Sequence, residues 1–202
     1  MPDKPYHHGH LRDAIIAAAV AEVEAVGAAA VSMREIARRA GVSHAAPAHH
    51  FGDKTGIFTA IATDGFRLTA DAIAPATTGP FGFLQGGAAY VDFALTYSGY
   101  FEVMYRPSLC RADDPELIAA RDAAFAILDN SAGALAEQWG ITDAAGLTIA
   151  GWSLSHGLAT LLLTGNLVDR LPHDRTQITQ LLTDGLIALG HVAGEQKRAT
   201  HR

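Results

Sequence analysis

Two segments decide the fold of this chain: Val31-Ser32-Met33-Arg34-Glu35-Ile36-Ala37-Arg38-Arg39-Ala40-Gly41-Val42-Ser43, and His49-His50-Phe51-Gly52-Asp53-Lys54 just beyond it. Ser32 stands three residues before Glu35, the spacing at which a hydroxyl accepts from one backbone N–H while the carboxylate reaches back to the other. Val31 can pack on Ile36 as a hydrophobic staple, so a helix is expected to start at Ser32. Ile36, Ala37 and Ala40 give it one apolar face, and Gly41 stops it. Gly41-Val42-Ser43 then reads as turn glycine, buried anchor and new N-cap, for a helix running to about His50. Two short helices across a three-residue turn make a helix-turn-helix, at about residues 32–51.

Working outward, Leu11, Ile15, Ala18, Ala19, Val23 and Val26 recur at helical spacing and Gly27 follows them, which predicts a first helix of about four turns. Asp53 is expected to cap a fourth helix, ending near Ala74, with Ile57, Phe58, Ile61 and Leu68 on its buried side. Pro75 to Pro80 is a composition break. Beyond it the pattern stays helical, over Phe81–Tyr97, Tyr100–Tyr105, Pro115–Trp139, Asp143–Thr164 and Asp174–Val192. The last of these opens with a capping-box spacing, Asp174 to Gln177, and is expected to bury Ile178, Leu181, Leu182 and Leu189. The expected architecture is all-α: a helix-turn-helix domain over residues 1–67 and a larger helical domain over residues 68–202.

Composition supports a packed globular chain and excludes disorder or a disulfide scaffold: of 202 residues, 49% are hydrophobic, 18% are charged and one is cysteine. Cys110 cannot form an internal bridge, and the amino-terminal stretch has no apolar signal-peptide core. A reducing, cytoplasmic setting is therefore expected. The net charge of −6 is unevenly placed. Residues 1–67 hold seven basic and seven acidic side chains, so the whole excess of acid lies in residues 68–202. No charged residue stands between Asp143 and Asp169, a length that could cross a bilayer. Thr148, Ser153, Ser155, His156, Thr160, Thr164 and Asn166 would need partners in lipid, so the expectation is no membrane span but a helix buried in a core or between subunits.

The segments Ser32–Ser43 and His49–Lys54 resemble the amino-terminal DNA-binding domain of the TetR family of bacterial transcriptional regulators, over roughly residues 10–60. Tyr6-His7-His8-Gly9-His10-Leu11, and Trp152 with His156-Gly157, resemble the subgroup named for a Trp-His-Gly carboxy-terminal domain. The resemblance implies a homodimer in which the third helix of each subunit enters a major groove of an operator, while the larger domain binds a small-molecule effector. It further implies a repressor released from DNA by that effector, and no enzyme activity. The DNA-contacting positions would be Ser32, Arg34, Ser43, His44, Ala45, Ala46, Ala48, His49, His50 and Lys54. Helix N-termini offer backbone N–H groups to phosphate, and Lys54 adds a full charge. Ala48 departs from the family pattern, which places a phosphate-contacting tyrosine there. With Ala45 and Ala46 it leaves a thin, apolar recognition helix, suited to thymine methyl groups and poor in hydrogen bonds.

For the effector site, Tyr90, Phe93, Tyr97, Phe101, Met104, Tyr105, Trp152 and His156 are candidates; aromatic residues at helical spacing are more often simple core. His7, His8 and His10 lack a cysteine or carboxylate at ligand spacing, so no metal and no cofactor are expected. No phosphate loop, nucleophile elbow or carboxylate pair is present. The uncharged helix carries Gly146, Ala150, Ser153 and Gly157, small residues that allow close helix approach, and a dimer through the last two helices is expected. The competing reading is a helical small-molecule- or metal-binding protein with weak or lost DNA binding.

Overall fold

The computed structural model describes residues 8–167, 170 and 174–200; the side chains of 8–10, 186 and 189–200 lie outside that description. The readings placed on Tyr6, His7 and the side chains of His8, His10 and Leu189 therefore fall outside it. The described residues form helices joined by turns and contain no strand. In order these are α1 (His8–Val26), α2 (Met33–Ala40), α3 (Ala46–Phe51), α4 (Lys54–Ile73), α5 (Gly82–Thr96), α6 (Ser98–Met104), a 3-10 turn (Pro107–Leu109), α7 (Pro115–Trp139), α8 (Ala144–Leu163) and α9 (Arg175–Thr200).

The α2 start follows the expected logic in half. Ser32 is extended, and its Oγ accepts from the Glu35 N–H at 3.2 Å. The Glu35 carboxylate does not return to Ser32; it accepts from Arg38 Nε at 2.8 Å. A charged partner one turn ahead outcompetes a neutral backbone N–H. At the other end Gly41 is left-handed, with φ 68°, and the Val42 N–H reaches the Ala37 carbonyl at 3.0 Å. This closes the helix in a way only glycine adopts without strain.

The expectation that Ser43 caps α3 is overturned. The helix begins at Ala46, its N-cap is Ala45 with no side-chain bond, and the Ser43 carbonyl accepts from Ala46 N at 3.0 Å in a preceding turn. Pro47 is the reason. A helix capped by Ser43 would need the N–H of residue 47 to bond back to residue 43, and proline has none. Shifting the start to Ala46 puts Pro47 in the first turn, where the missing donor costs least.

The chain divides into two compact units, one comprising residues up to Arg67 together with Tyr97–Arg121, the other Leu68–Thr96 with residues from Asp122 onward. In the first, Ile15, Ala19, Val23, Ile36, Ile57, Phe58 and Ile61 form a buried core. Its polar ties are specific. Arg39 donates to the buried Glu22 through Nε and Nη2 at 3.1 and 2.9 Å, joining α2 to α1. Glu24 accepts from Ser98 Oγ and Gly99 N at 3.2 and 3.3 Å, and Glu102 accepts from Ala28 N at 2.9 Å. Through these two carboxylates α6 is clasped to the end of α1.

In the second unit Phe83, Leu84, Ala132 and Leu135 form the core, with Leu128, Leu147 and Ile187 packed on it. Asp143 caps α8, accepting from Gly146 N at 2.8 Å. Asp174 accepts from Thr176 N at 2.8 Å, one residue short of the capping-box partner Gln177. Arg175 ties α9 to the end of α5 through Thr96 Oγ1 at 3.1 Å. The uncharged helix α8 is not a core helix of the single chain. Thr148, Gly151, Ser155 and Ala159 form its one buried line, while Ile149, Leu154 and Leu161 are 57%, 42% and 43% exposed. It is the single helix among the described residues long and apolar enough to cross a membrane. Leu181 of α9, expected buried, is 50% exposed.

Candidate DNA-reading surface and ligand site

Because Pro47 and Phe51 are buried, α3 and the turn before it present a defined face outward: His44 and Ala45 of the turn and Ala48 and His49 of the helix are exposed, with Ala46 and His50 partly so. Ala45, Ala48 and His49 share a helical face, being three and four residues apart. The His49 and His50 rings meet edge to face at 5.4 Å between centroids. Behind this face, the Arg12 guanidinium lies 5.7 Å from the centre of the Phe51 ring. Ser32 and Ser43 are exposed at the approaches to α2 and α3, and Arg34 is exposed in the first turn of α2.

The α3–α4 junction adds Asp53, Lys54 and Arg111 to this surface. Asp53 Oδ1 accepts from Gly56 N at 2.7 Å and so caps α4. Gly56 has no room for a side chain, since a Cβ there would strike the Phe51 carbonyl oxygen. Lys54 directs Nζ to the Val31 carbonyl at 3.3 Å, and over the Phe58 ring at 5.7 Å. Its charge therefore also braces the α2 approach. Arg111 Nη2 donates to Asp53 Oδ1 at 2.9 Å. The Gly56 amide, then the Arg111 charge, hold the Asp53 carboxyl below its ordinary range. Arg111 lies 58 residues away in sequence and no local signal marks it. Within α2, the hydrogen bond from Arg38 likewise lowers the Glu35 carboxyl.

Of the eight effector-site candidates, four gather in the second unit. The Tyr90 hydroxyl lies 2.8 Å from His156 Nδ1. The His156 ring stands 5.9 Å from that of Trp152, and Tyr90 stands 6.5 Å from Phe93. Phe125 of α7, not singled out from sequence, meets Trp152 edge to face at 5.2 Å. Burial lowers the pKa of His156, because an imidazolium loses hydration there. The other four, Tyr97, Phe101, Met104 and Tyr105, belong to the unit that carries α1–α3. There Tyr105 packs edge to face on Phe101 at 5.4 Å and on Phe66 at 5.9 Å. Met104 lies over Gly65 of α4, where a Cβ would overlap its side chain. Cys110 is a poor nucleophile, since burial pushes its pKa up to about 11.

A third feature is an open apolar groove of about 370 Å³ between α8 and α9, lined by Leu154, Gly157, Leu158, Leu161, Ile178 and Leu181 among others.

Residues 15–61 match the family model of bacterial regulatory proteins of the tetR family, and residues 83–186 match that of the tetracyclin repressor-like C-terminal domain. A protein of unknown function from Rhodococcus sp. RHA1 is 29% identical with a TM-score of 0.75, over 91% of this chain and 96% of that one. LfrR from Mycobacterium smegmatis, a TetR-like regulator solved in complex with proflavine, is 22% identical with a TM-score of 0.64, over 90% and 97%. The TetR-family regulator PfmR from Thermus thermophilus is 20% identical with a TM-score of 0.60, over 84% and 93%. No curated protein matches the chain. With both the helix-turn-helix segment and more than half of the chain's length matched, this protein belongs to the TetR family of bacterial transcriptional regulators and is a DNA-binding regulator rather than an enzyme.

Proposed function

We propose that the chain acts as a homodimeric repressor in the cytoplasm, releasing its operator when a small molecule binds the second unit. The observation that carries the DNA-reading part is the exposed face of α3. Ala48 and His49 project from a helix anchored underneath by Pro47 and Phe51, and His44 and Ala45 extend that face from the turn before it. A face of two methyl groups flanked by two imidazoles can approach base edges closely. It would read thymine methyl groups by contact and purine acceptors through histidine N–H donors. Ser32, Arg34, Ser43, Ala46, His50 and Lys54 surround it and would meet sugar and phosphate.

The dimer interface in this reading is the exposed face of α8 and α9, where Ile149, Leu154, Leu161 and Leu181 otherwise remain in water. Two such helices from each subunit would make a four-helix bundle, and an operator read by both copies of α3 would present its half-sites about 34 Å apart, one turn of DNA. The aromatic cluster of Tyr90, Phe93, Phe125, Trp152 and His156 would take the effector, offering flat apolar faces and one polar pair.

The test is a mobility-shift titration with DNA from upstream of the protein's own gene, followed by footprinting. A protected, two-fold symmetric site is expected, and replacing thymine by deoxyuridine within a half-site should weaken binding severalfold. A protein that shifts no DNA at any concentration would instead be the ligand-binding helical protein of the competing reading.

A further inference from the structure

Asp53 is needed where it stands: its carboxylate satisfies the Gly56 amide at the start of α4, in a junction too tight for any side chain at Gly56. A carboxylate is also the wrong charge there if the proposed function holds, because it adjoins Lys54 and the end of α3, where phosphates would approach. Arg111 resolves this conflict. It enters from the segment after the 3-10 turn, with its backbone N–H held at 2.9 Å by the hydroxyl of buried Thr59. That anchor delivers the guanidinium to Asp53 Oδ1 at 2.9 Å, with the Phe51 carbonyl at 3.5 Å. The side chain remains 45% exposed. A guanidinium has five N–H donors, so it can meet Asp53 and keep donors facing solvent.

We propose that Arg111, from outside the helix-turn-helix, is a positioning residue of the DNA-contacting surface: it supplies the counter-charge that allows Asp53 to cap α4 beside the phosphate backbone. The proposal rests on the reading of α3 and α4 as the DNA-binding face. The residues from 1 to 67 carry no net formal charge, so one uncompensated carboxylate at that face would matter more than it would in a strongly basic domain.

The experiment measures operator affinity by fluorescence anisotropy between 50 and 200 mM salt, for wild type, R111Q, R111K, D53N and D53N/R111Q. R111Q is expected to bind about fivefold more weakly at 50 mM salt, with a salt slope shallower by about one ion, since each phosphate-facing cation releases roughly one counterion. R111K, which keeps the charge, should stay close to wild type. D53N keeps a capping side chain and should bind more tightly, with a steeper slope. D53N/R111Q, which removes one charge of each sign, should regain most of the affinity that R111Q loses. The proposal is overturned if R111Q binds with unaltered affinity and slope. It is equally overturned if D53N and D53N/R111Q are both as weak as R111Q, because the pair would then be a mechanical brace. D53N alone decides the charge question should R111Q fold poorly. A wild-type protein without DNA binding would defeat the underlying reading first.

Discussion

The Tyr90 hydroxyl and the Nδ1 of His156 are 2.8 Å apart, a hydrogen bond that joins α5 to α8 across 66 residues of sequence. Because burial lowers the His156 pKa, the folded state prefers the neutral ring. The unfolded chain takes up its proton near the ordinary value of about 6.5, before the folded protein does. This contribution to stability is fully present above pH 6.5 or so and is lost as pH falls through the lower folded value. Denaturant titrations of wild type at pH 7.5 and 5.5 should show the acid loss, and His156→Gln should reduce it. An equal loss in both proteins would assign the acid sensitivity to other groups.

With the effector seated in the aromatic cluster as proposed, the same pair should bear on ligand response. Tyr90→Phe removes one hydroxyl while keeping the ring, so operator binding without ligand should stay near wild type while the ligand concentration for half release changes severalfold. The readout is anisotropy of the operator complex titrated with an identified effector. Identical release curves would mark Tyr90 as packing alone.

Association is expected to depend on the face of α8. Leu161 is 43% exposed in the single chain and lines the groove against α9. Leu161→Glu would bury a charge in the proposed four-helix bundle, which is costly without a partner. Sedimentation at micromolar concentration should show dimers for wild type and monomers for the variant, with operator affinity reduced at least tenfold. A variant that remains dimeric would place the interface elsewhere.

Within the first unit, the Glu22–Arg39 pair is a stability device. Arg39→Ala strands a carboxylate that is only 8% exposed, and should cost about 2 kcal/mol on the scale of a lost charged hydrogen bond. Replacing both partners, as E22L/R39A, should recover part of that loss, since an apolar side chain suits the buried site. Chemical denaturation of the three proteins measures both effects.

The helix-turn-helix was legible because everything that makes it is local. Ser32 and Glu35 are one turn apart, Gly41 supplies its own left-handed residue, and Asp53 reaches a backbone amide three residues on. Such interactions depend on spacing along one chain segment, which periodicity and capping rules express directly. Even there a local rule could be outvoted by a neighbour: Ser43 looked like a cap, and Pro47, four residues later, removed the donor that would have made it one.

Which surfaces meet was decided by tertiary packing. Nothing near Asp53 points to Arg111, and nothing near Tyr90 points to His156, because partners 58 and 66 residues apart are chosen by how helices stack rather than by spacing. Periodicity marks a residue as apolar without saying what will cover it. For that reason Tyr97 and Tyr105, read alongside Tyr90 from sequence, fall in the unit with α1–α3, and Leu181, read as core, lies in an open groove. The hydrophobic effect rewards removal from water and is indifferent to the partner. The identity of that partner enters only when shape, small residues such as Gly65 and Gly151, and single polar pairs select one packing from many.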